Sequence, residues 1–141
     1  MSVTHIPIAL RRQVRERAGE CCECCLIPES MTWAVHTIDH IVAEKHGGAT
    51  TADNLALACT ICNACKGSDL ASIDEQTGSI EPLFHPRRDR WTDQFQLVGG
   101  RIEPRTPKGR VTARLLRFND PDRVQERELL VATGSIREPM A

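Results

Sequence analysis

Large aromatic side chains are scarce in this sequence, which has no tyrosine, two tryptophans and three phenylalanines among its 141 residues. A chain this short with so few large side chains can bury only a modest core, so an additional staple is expected. The sequence also lacks any run of about 20 apolar residues, and no membrane-spanning helix is expected. Because residues 1–9 contain no long apolar stretch, we expect no secretory leader and predict a protein of the reducing cytoplasm.

Cysteine is abundant by contrast, with seven residues that all fall within positions 21–65. In a reducing compartment this number favours a metal site over disulfides. Two pairs have the Cys-x2-Cys spacing that lets both sulfurs reach one zinc ion, namely Cys22 with Cys25 and Cys59 with Cys62. Cys21 and Cys24 have the same spacing, so spacing alone leaves the choice of the first pair open. A closed four-cysteine site has no position for a substrate, and its role would be to stabilise the fold.

The net charge of −1 hides a strong segregation of charge along the chain. Residues 1–19 carry +3, residues 20–81 carry −8, residues 82–117 carry +6 and residues 118–141 carry −2. Two basic segments therefore flank an acidic centre that contains every cysteine. The basic segments can serve a phosphate-containing partner, or they can simply be solvated faces.

Local patterns predict a mixed α+β fold. Leu10, Val14 and Ala18 recur every four residues and give the first helix one apolar face. In the N-terminal half, the expected elements are a helix over 7–18, strands over 33–42 and 55–58, and a helical turn over 63–66. In the C-terminal half, they are a loop over 68–90, a hairpin over 94–103 around Gly99-Gly100, and helices over 107–117 and 121–133.

The polar residues Asp39, His40, Asn54 and Asn63 fall between and just after the two cysteine pairs. Cleavage of a phosphodiester needs an activated water and a cation on the leaving oxygen. Asp39 and Asn63 offer oxygen ligands, which suit Mg²⁺ or Mn²⁺ better than zinc. Neighbouring strand residues point to opposite sides, so His40 must stand at a bulge or a strand end to face the same phosphate as Asp39.

This part of the sequence resembles the HNH endonuclease family. It resembles the variant of the family motif in which Asp precedes the His and Asn replaces the last His. The matching stretches are 35–42, 46–48, 54–59 and 62–66. Three later segments also resemble free-standing bacterial members of the family, namely 67–70, 82–84 and 89–91. The resemblance implies a ββα-metal (His-Me finger) core stapled by a four-cysteine zinc site, with an N-terminal helix and a C-terminal hairpin plus helices.

The same resemblance implies how the residues act. His40 would be the general base, for which an unperturbed pKa of about 6.5 is suitable, and Asn54 would brace the loop that orients it. Asp39 and Asn63 would hold a catalytic Mg²⁺ or Mn²⁺. The implied zinc ligands are Cys22, Cys25, Cys59 and Cys62. The expected reaction is hydrolysis of DNA, by nicking at least, that leaves a 5′-phosphate and a 3′-hydroxyl.

We therefore expect a nuclease core over 1–70, an extension over 71–134 that packs on this core, and a disordered tail over 135–141. The candidate phosphate contacts are His46, Lys66, Arg87, Arg88 and Arg90, followed by Arg105, Lys108, Arg110 and Arg114. The expected partner is DNA, and no membrane is expected. Two alternatives remain: a catalytically silent zinc module that binds nucleic acid or a protein, and a nuclease that acts on RNA.

Overall fold

Short antiparallel strand pairs and helices alternate along the chain, which confirms the α+β class. A computed structural model describes residues 4–139. The chain divides into two units, Met1–Ser68 and Asp69–Ala141. Among the described residues, no helix has both the length and the apolar character that crossing a membrane requires.

The first helix, α1 (Ile8–Arg17), lies within the predicted range over 7–18, with Pro7 as its N-cap rather than its first residue. Its apolar stripe packs on a small core, where Val14 is fully buried among Ile6, Leu55 and Leu57, with Leu10, Ala18 and Ile38 against them. The four-residue spacing therefore identified the buried face correctly, because side chains at that spacing share one side of a helix.

Two strands and a helix form the ββα arrangement of the first unit. Strand β1 (Thr37–His40) pairs antiparallel with β2 (Leu55–Ala58), and α2 (Thr60–Lys66) follows at once. In this register Asp39 lies opposite Ala56 and His40 opposite Leu55.

Strand β1 is shorter than the predicted run over 33–42. Upstream, the backbone N–H of His36 donates to Glu29 Oε2 at 2.6 Å, and Arg15 Nη2 donates to the His36 carbonyl at 3.1 Å. Downstream, the side chain of Asn54 binds both backbone groups of Val42. Side chains thus occupy the backbone groups that a longer strand would need.

The second unit consists of two hairpins and three helices. Its elements are β3 (Ala71–Ile73), β4 (Ile80–Pro82), α3 (Trp91–Gln94), β5 (Phe95–Val98), β6 (Arg101–Pro104), α4 (Pro107–Leu115) and α5 (Pro121–Ala132). The hairpin around Gly99-Gly100 and both long helices lie where the sequence predicts them. The predicted loop over 68–90 contains instead the β3–β4 hairpin, whose three-residue strands are too short to give a recognisable alternation.

Aromatic packing holds this second unit together. Phe95 is fully buried, with ring centroids 5.5 Å from Phe84, 5.2 Å from Trp91 and 5.5 Å from Phe118. Four of the five aromatic residues of the chain therefore belong to one cluster. The fifth, Trp33, belongs to the first unit.

The expected tail over 135–141 differs from the structure where it is described. Ile136 is buried, and Glu138 Oε2 accepts a hydrogen bond from the backbone of Leu97 at 2.7 Å. These contacts hold the chain against the second unit as far as Glu138. Residues 140 and 141 of the expected tail lie outside the described residues.

Candidate active site and zinc site

Four buried thiols converge in the first unit. The sulfurs of Cys22, Cys25, Cys59 and Cys62 all lie within 4.8 Å of one another, and all four residues are buried. Each pair forms a turn in which the second backbone N–H donates to the first sulfur at 3.4 Å. Cys59 also caps α2, so this cluster fixes where that helix begins. Four sulfurs at this range are the donor set of a tetrahedral structural zinc site.

The electrostatics of the cluster call for a cation. Burial raises the pKa of the Cys22 thiol well above its usual value. Hydrogen bonds from the neighbouring sulfurs of Cys22, Cys25 and Cys62 hold the pKa of Cys59 far below its usual range. Four thiolates confined together would repel one another strongly unless a divalent ion neutralised them. The residues present therefore fit zinc.

The choice between the two possible first pairs is resolved by this geometry. Cys21 lies half-buried outside the cluster, and its thiol donates to the Gly19 carbonyl at 3.4 Å. Cys24 is buried but is not part of the cluster either. The candidate zinc site thus contains Cys22 and Cys25, the pair that the resemblance implied.

A cleft of about 810 Å³ adjoins this scaffold, and it is lined by Asp39, His40 and Asn63. Asp39 and His40 come from β1, while Asn63 comes from α2, directly after Cys62. His40 is the last residue of β1. It therefore stands at a strand end, the position that lets it line the same cleft as its neighbour Asp39.

Asp39 has a buried cationic partner. Its Oδ2 lies 3.0 Å from Lys66 Nζ, and the two side chains are 13% and 11% exposed. The same ammonium donates to the backbone carbonyl of His40 at 3.2 Å. Burial raises the pKa of Asp39, and the charge of Lys66 opposes this shift.

The sequence suggested that Lys66 contacts a phosphate, whereas in the structure its partners are Asp39 and the His40 carbonyl. The residue closes α2, and its side chain reaches β1 rather than solvent. It is only 9% exposed as a whole. Because its buried ammonium contacts the Asp39 carboxylate and the His40 carbonyl, Lys66 links α2 to β1.

His40 is almost fully buried, at 6% exposure, and its Nε2 has two polar neighbours. Thr50 Oγ1 lies at 2.9 Å, and Glu44 Oε1 lies at 3.5 Å. Sequence analysis did not identify either neighbour. Both belong to the irregular connection between β1 and β2, where no periodic pattern indicates which side chains turn inward.

Asn54 ties this connection together. Its Oδ1 accepts from the Val42 N–H at 2.9 Å, and its Nδ2 donates to the carbonyls of Val42 at 2.9 Å and Ala49 at 2.8 Å. Gly48 passes so close that a Cβ placed there would lie 1.7 Å from the Val42 carbonyl oxygen. The loop that starts at His40 is therefore held by one amide side chain and by a position where only glycine fits.

The predicted phosphate contacts are distributed over both units. His46 Nε2 lies 3.2 Å from the Ser68 carbonyl, and His46 is not among the residues that line the cleft. Cationic residues that do line it, and that sequence analysis missed as phosphate contacts, are Arg11, Arg15 and Lys45. Arg15 also pairs with Glu29 at 2.7 Å.

In the second unit, Arg88 and Arg90 are exposed and Arg87 is half-buried. The partners of the other four candidates are acids or a backbone carbonyl. Lys108 pairs with Asp89 at 2.9 Å, Arg110 with Asp74 at 2.8 Å and Arg114 with Glu75 at 2.7 Å, while Arg105 Nε donates to the Phe95 carbonyl at 3.0 Å. Several cations of the basic segment are thus neutralised by acids that lie close in space but fall elsewhere in the sequence.

Comparison with known proteins agrees with the arrangement of the first unit. The model of the HNH endonuclease family matches residues 22–69, a stretch that contains both cysteine pairs, β1, β2 and α2. A search of curated proteins gave no match. A search of solved structures gave none either. Residues 22–69 of this chain thus resemble a domain of the HNH endonuclease family.

Proposed function

We propose that the protein is a metal-dependent endonuclease that hydrolyses DNA, with His40 as its general base. The observation that carries this proposal is the shared cleft of Asp39, His40 and Asn63. A carboxylate, an imidazole and an amide that line one cleft are groups suited to metal-dependent phosphodiester hydrolysis. The expected products are a 5′-phosphate and a 3′-hydroxyl, and one such site cuts one strand.

The oxygen donors of this cleft fit a hard divalent cation. The Asp39 carboxylate and the Asn63 amide oxygen would hold Mg²⁺ or Mn²⁺, which prefer oxygen ligands. When bound, such an ion supplies positive charge to the phosphate and the leaving oxygen.

His40 takes the proton of the attacking water in this proposal. With its proton on Nε2, the imidazole donates to Thr50 Oγ1 at 2.9 Å, and Nδ1 is then the basic atom. After proton transfer the ring is cationic, and the Glu44 carboxylate 3.5 Å from Nε2 stabilises that form. Asn54 acts at a distance by fixing the loop that follows His40.

The zinc site and three arginines of the second unit have supporting roles. The four thiolates hold α2 so that Asn63 stays in the cleft. Arg87, Arg88 and Arg90 are proposed contacts to the DNA backbone. Changing all three to Gln is expected to weaken DNA binding and to reduce its salt dependence, because fewer counterions are released. Arg101→Gln is the matched control, since Arg101 is already paired with Glu103 at 2.8 Å.

One observation favours a second candidate function, that of a silent nucleic-acid-binding module. Lys66 already neutralises Asp39 at 3.0 Å, so the carboxylate has a partner without any metal. The two candidate functions differ in one property: in the enzyme, a divalent ion can replace the Lys66 ammonium as the partner of Asp39, whereas in the silent module it cannot.

The test is a plasmid assay. Supercoiled DNA is incubated with the zinc-loaded protein and Mg²⁺, Mn²⁺ or no added metal, and nicked circles are expected with either metal but not without one. DNA ligase should seal the nicks, because it requires a 5′-phosphate and a 3′-hydroxyl. Asp39→Asn should abolish nicking. If zinc-loaded protein produces no nicks in either metal, the silent module replaces the enzyme; cleavage of RNA alone would redirect the proposal to RNA.

A further inference from the structure

One aromatic side chain of the protein is left fully in solvent. The indole of Trp33 is completely exposed, whereas Trp91 is 5% exposed inside the aromatic cluster. Met31 and Val35, two residues to either side, are also exposed. Exposed large apolar side chains that occur together usually mark a binding surface. We call Met31, Trp33 and Val35 the apolar rim.

The apolar rim adjoins the candidate active site. Val35 lines the cleft that contains Asp39 and His40. Trp33 follows two positions upstream, so its Cα is at most about 7 Å from that of Val35. The indole is therefore within reach of a ligand that extends from the cleft past Val35.

The segment that carries Trp33 is held at both ends. Glu29 Oε2 accepts from Arg15 at 2.7 Å and from the backbone N–H of His36 at 2.6 Å. Arg15 also donates to the His36 carbonyl at 3.1 Å. Within the segment, the Thr32 hydroxyl lies 2.9 Å from the Glu29 carbonyl. The exposure of the indole therefore comes from a fixed loop, which keeps the side chain outside at little further entropic cost on binding.

We propose that Trp33 stacks on an unpaired nucleobase of the strand whose phosphate enters the cleft, so that the protein prefers single-stranded segments to duplex. This inference rests on the proposed function. Cationic Arg11 and Lys45 line the same cleft as Val35, which favours an anionic ligand with an apolar part. A nucleotide has both parts, and base stacking on an exposed aromatic is a common mode of single-strand binding. Bases inside a duplex have both faces covered by their neighbours.

The experiment measures binding in buffer from which Mg²⁺ and Mn²⁺ are omitted, so that cleavage plays no part and the structural zinc is retained. A labelled single-stranded oligonucleotide and the duplex of the same sequence are titrated with the unaltered protein and with Trp33→Ala, Trp33→Phe and Leu129→Ala. Leu129 is the matched control, because it is a large apolar side chain exposed on α5. Zinc content and melting temperature should be the same for all four proteins.

We expect Trp33→Ala to weaken single-strand binding about tenfold and Trp33→Phe about threefold, since stacking scales with ring area. Duplex binding should change less than twofold, and Leu129→Ala should change neither. The oligonucleotide should also quench the tryptophan emission of the unaltered protein but not that of Trp33→Phe, in which only buried Trp91 remains.

Three results would overturn the inference: no single-strand binding by the unaltered protein, equal affinity of Trp33→Ala, or an equal loss for duplex and single strand. Its failure is distinguishable from failure of the proposed function. Normal binding by Trp33→Ala with intact nicking removes only the stacking role. Stacking without nicking in Mg²⁺ or Mn²⁺ supports the inference and removes the catalytic proposal.

Discussion

Lys66 Nζ lies 3.0 Å from Asp39 Oδ2, so the carboxylate proposed to hold the catalytic metal already faces a buried ammonium. Both side chains are largely out of solvent, and breaking one partner of such a pair leaves an uncompensated charge. The pair couples the stability of the ββα core to the occupancy of the metal site.

Replacing Lys66 with Met should therefore destabilise the metal-free protein by about 3 kcal/mol. Added Mg²⁺ or Mn²⁺ should restore part of this loss, because a ligand that binds only the folded state stabilises it. Thermal unfolding of the zinc-loaded proteins without added metal and with Mg²⁺ or Mn²⁺ measures both effects. The double variant Lys66→Met with Asp39→Asn is the control and should lose the metal response. A Lys66→Met protein that melts like the unaltered one without added metal contradicts the coupling.

Removal of the zinc should unfold the first unit. Structural zinc contributes about 10–16 kcal/mol in small domains, an amount that is comparable to or larger than the usual stability of a domain of about 5–15 kcal/mol. Cys59→Ser should accordingly lose zinc and helical signal together, as measured by metal analysis and circular dichroism. Cys21→Ser is the matched control outside the cluster and should keep about one zinc per chain. Retention of the fold by zinc-free Cys59→Ser would show that the cluster is not a staple.

Asn54 should matter for stability and activity together. Asn54→Ala removes three hydrogen bonds and leaves the Val42 N–H and carbonyl without their partners. Each lost bond of this kind costs about 1 kcal/mol, so a loss of about 2–3 kcal/mol is expected in denaturant unfolding. Nicking should fall further than stability explains, because the loop after His40 loosens. Thr51→Ala, an exposed neighbour, should leave both quantities unchanged.

The second unit should show an acid transition set by one ion pair. Arg110 donates to Asp74 at 2.8 and 3.0 Å and holds the pKa of that carboxyl well below its usual range. A lowered pKa in the folded state means that the pair stabilises the protein above about pH 4 and that this stability is lost as pH falls further. Asp74→Asn should flatten the dependence of melting temperature on pH below about 4. An unchanged acid limb in that variant contradicts this assignment.

How well the sequence predicts an element depends on how close together in the sequence the residues that determine it lie. The helix at Ile8–Arg17 and the two Cys-x2-Cys turns depend on residues within four positions of one another, and all three are where they were expected. The start of β1 depends on Glu29 and Arg15 capturing His36, a set of contacts spread over 21 residues. No local pattern carries such contacts.

The candidate site likewise has a part that the sequence predicts and a part that it does not. Its polar residues could be predicted because their order along the chain resembles that of the HNH endonuclease family. Their partners were not: Lys66 reaches Asp39 from the end of a helix, and Thr50 reaches His40 from an irregular loop. In the second unit, Asp74 and Arg110 meet across 36 residues, so the basic segment carries less free charge than its composition indicates.

The role of His40 is tested most directly by nicking under single-turnover conditions with saturating Mg²⁺ or Mn²⁺. His40→Ala is compared with the unaltered protein at equal zinc content and melting temperature. Loss of a general base costs about 10²–10⁴ in rate, so we expect nicking by His40→Ala to fall at least a hundredfold. If the two proteins nick within threefold of each other, His40 is not the base.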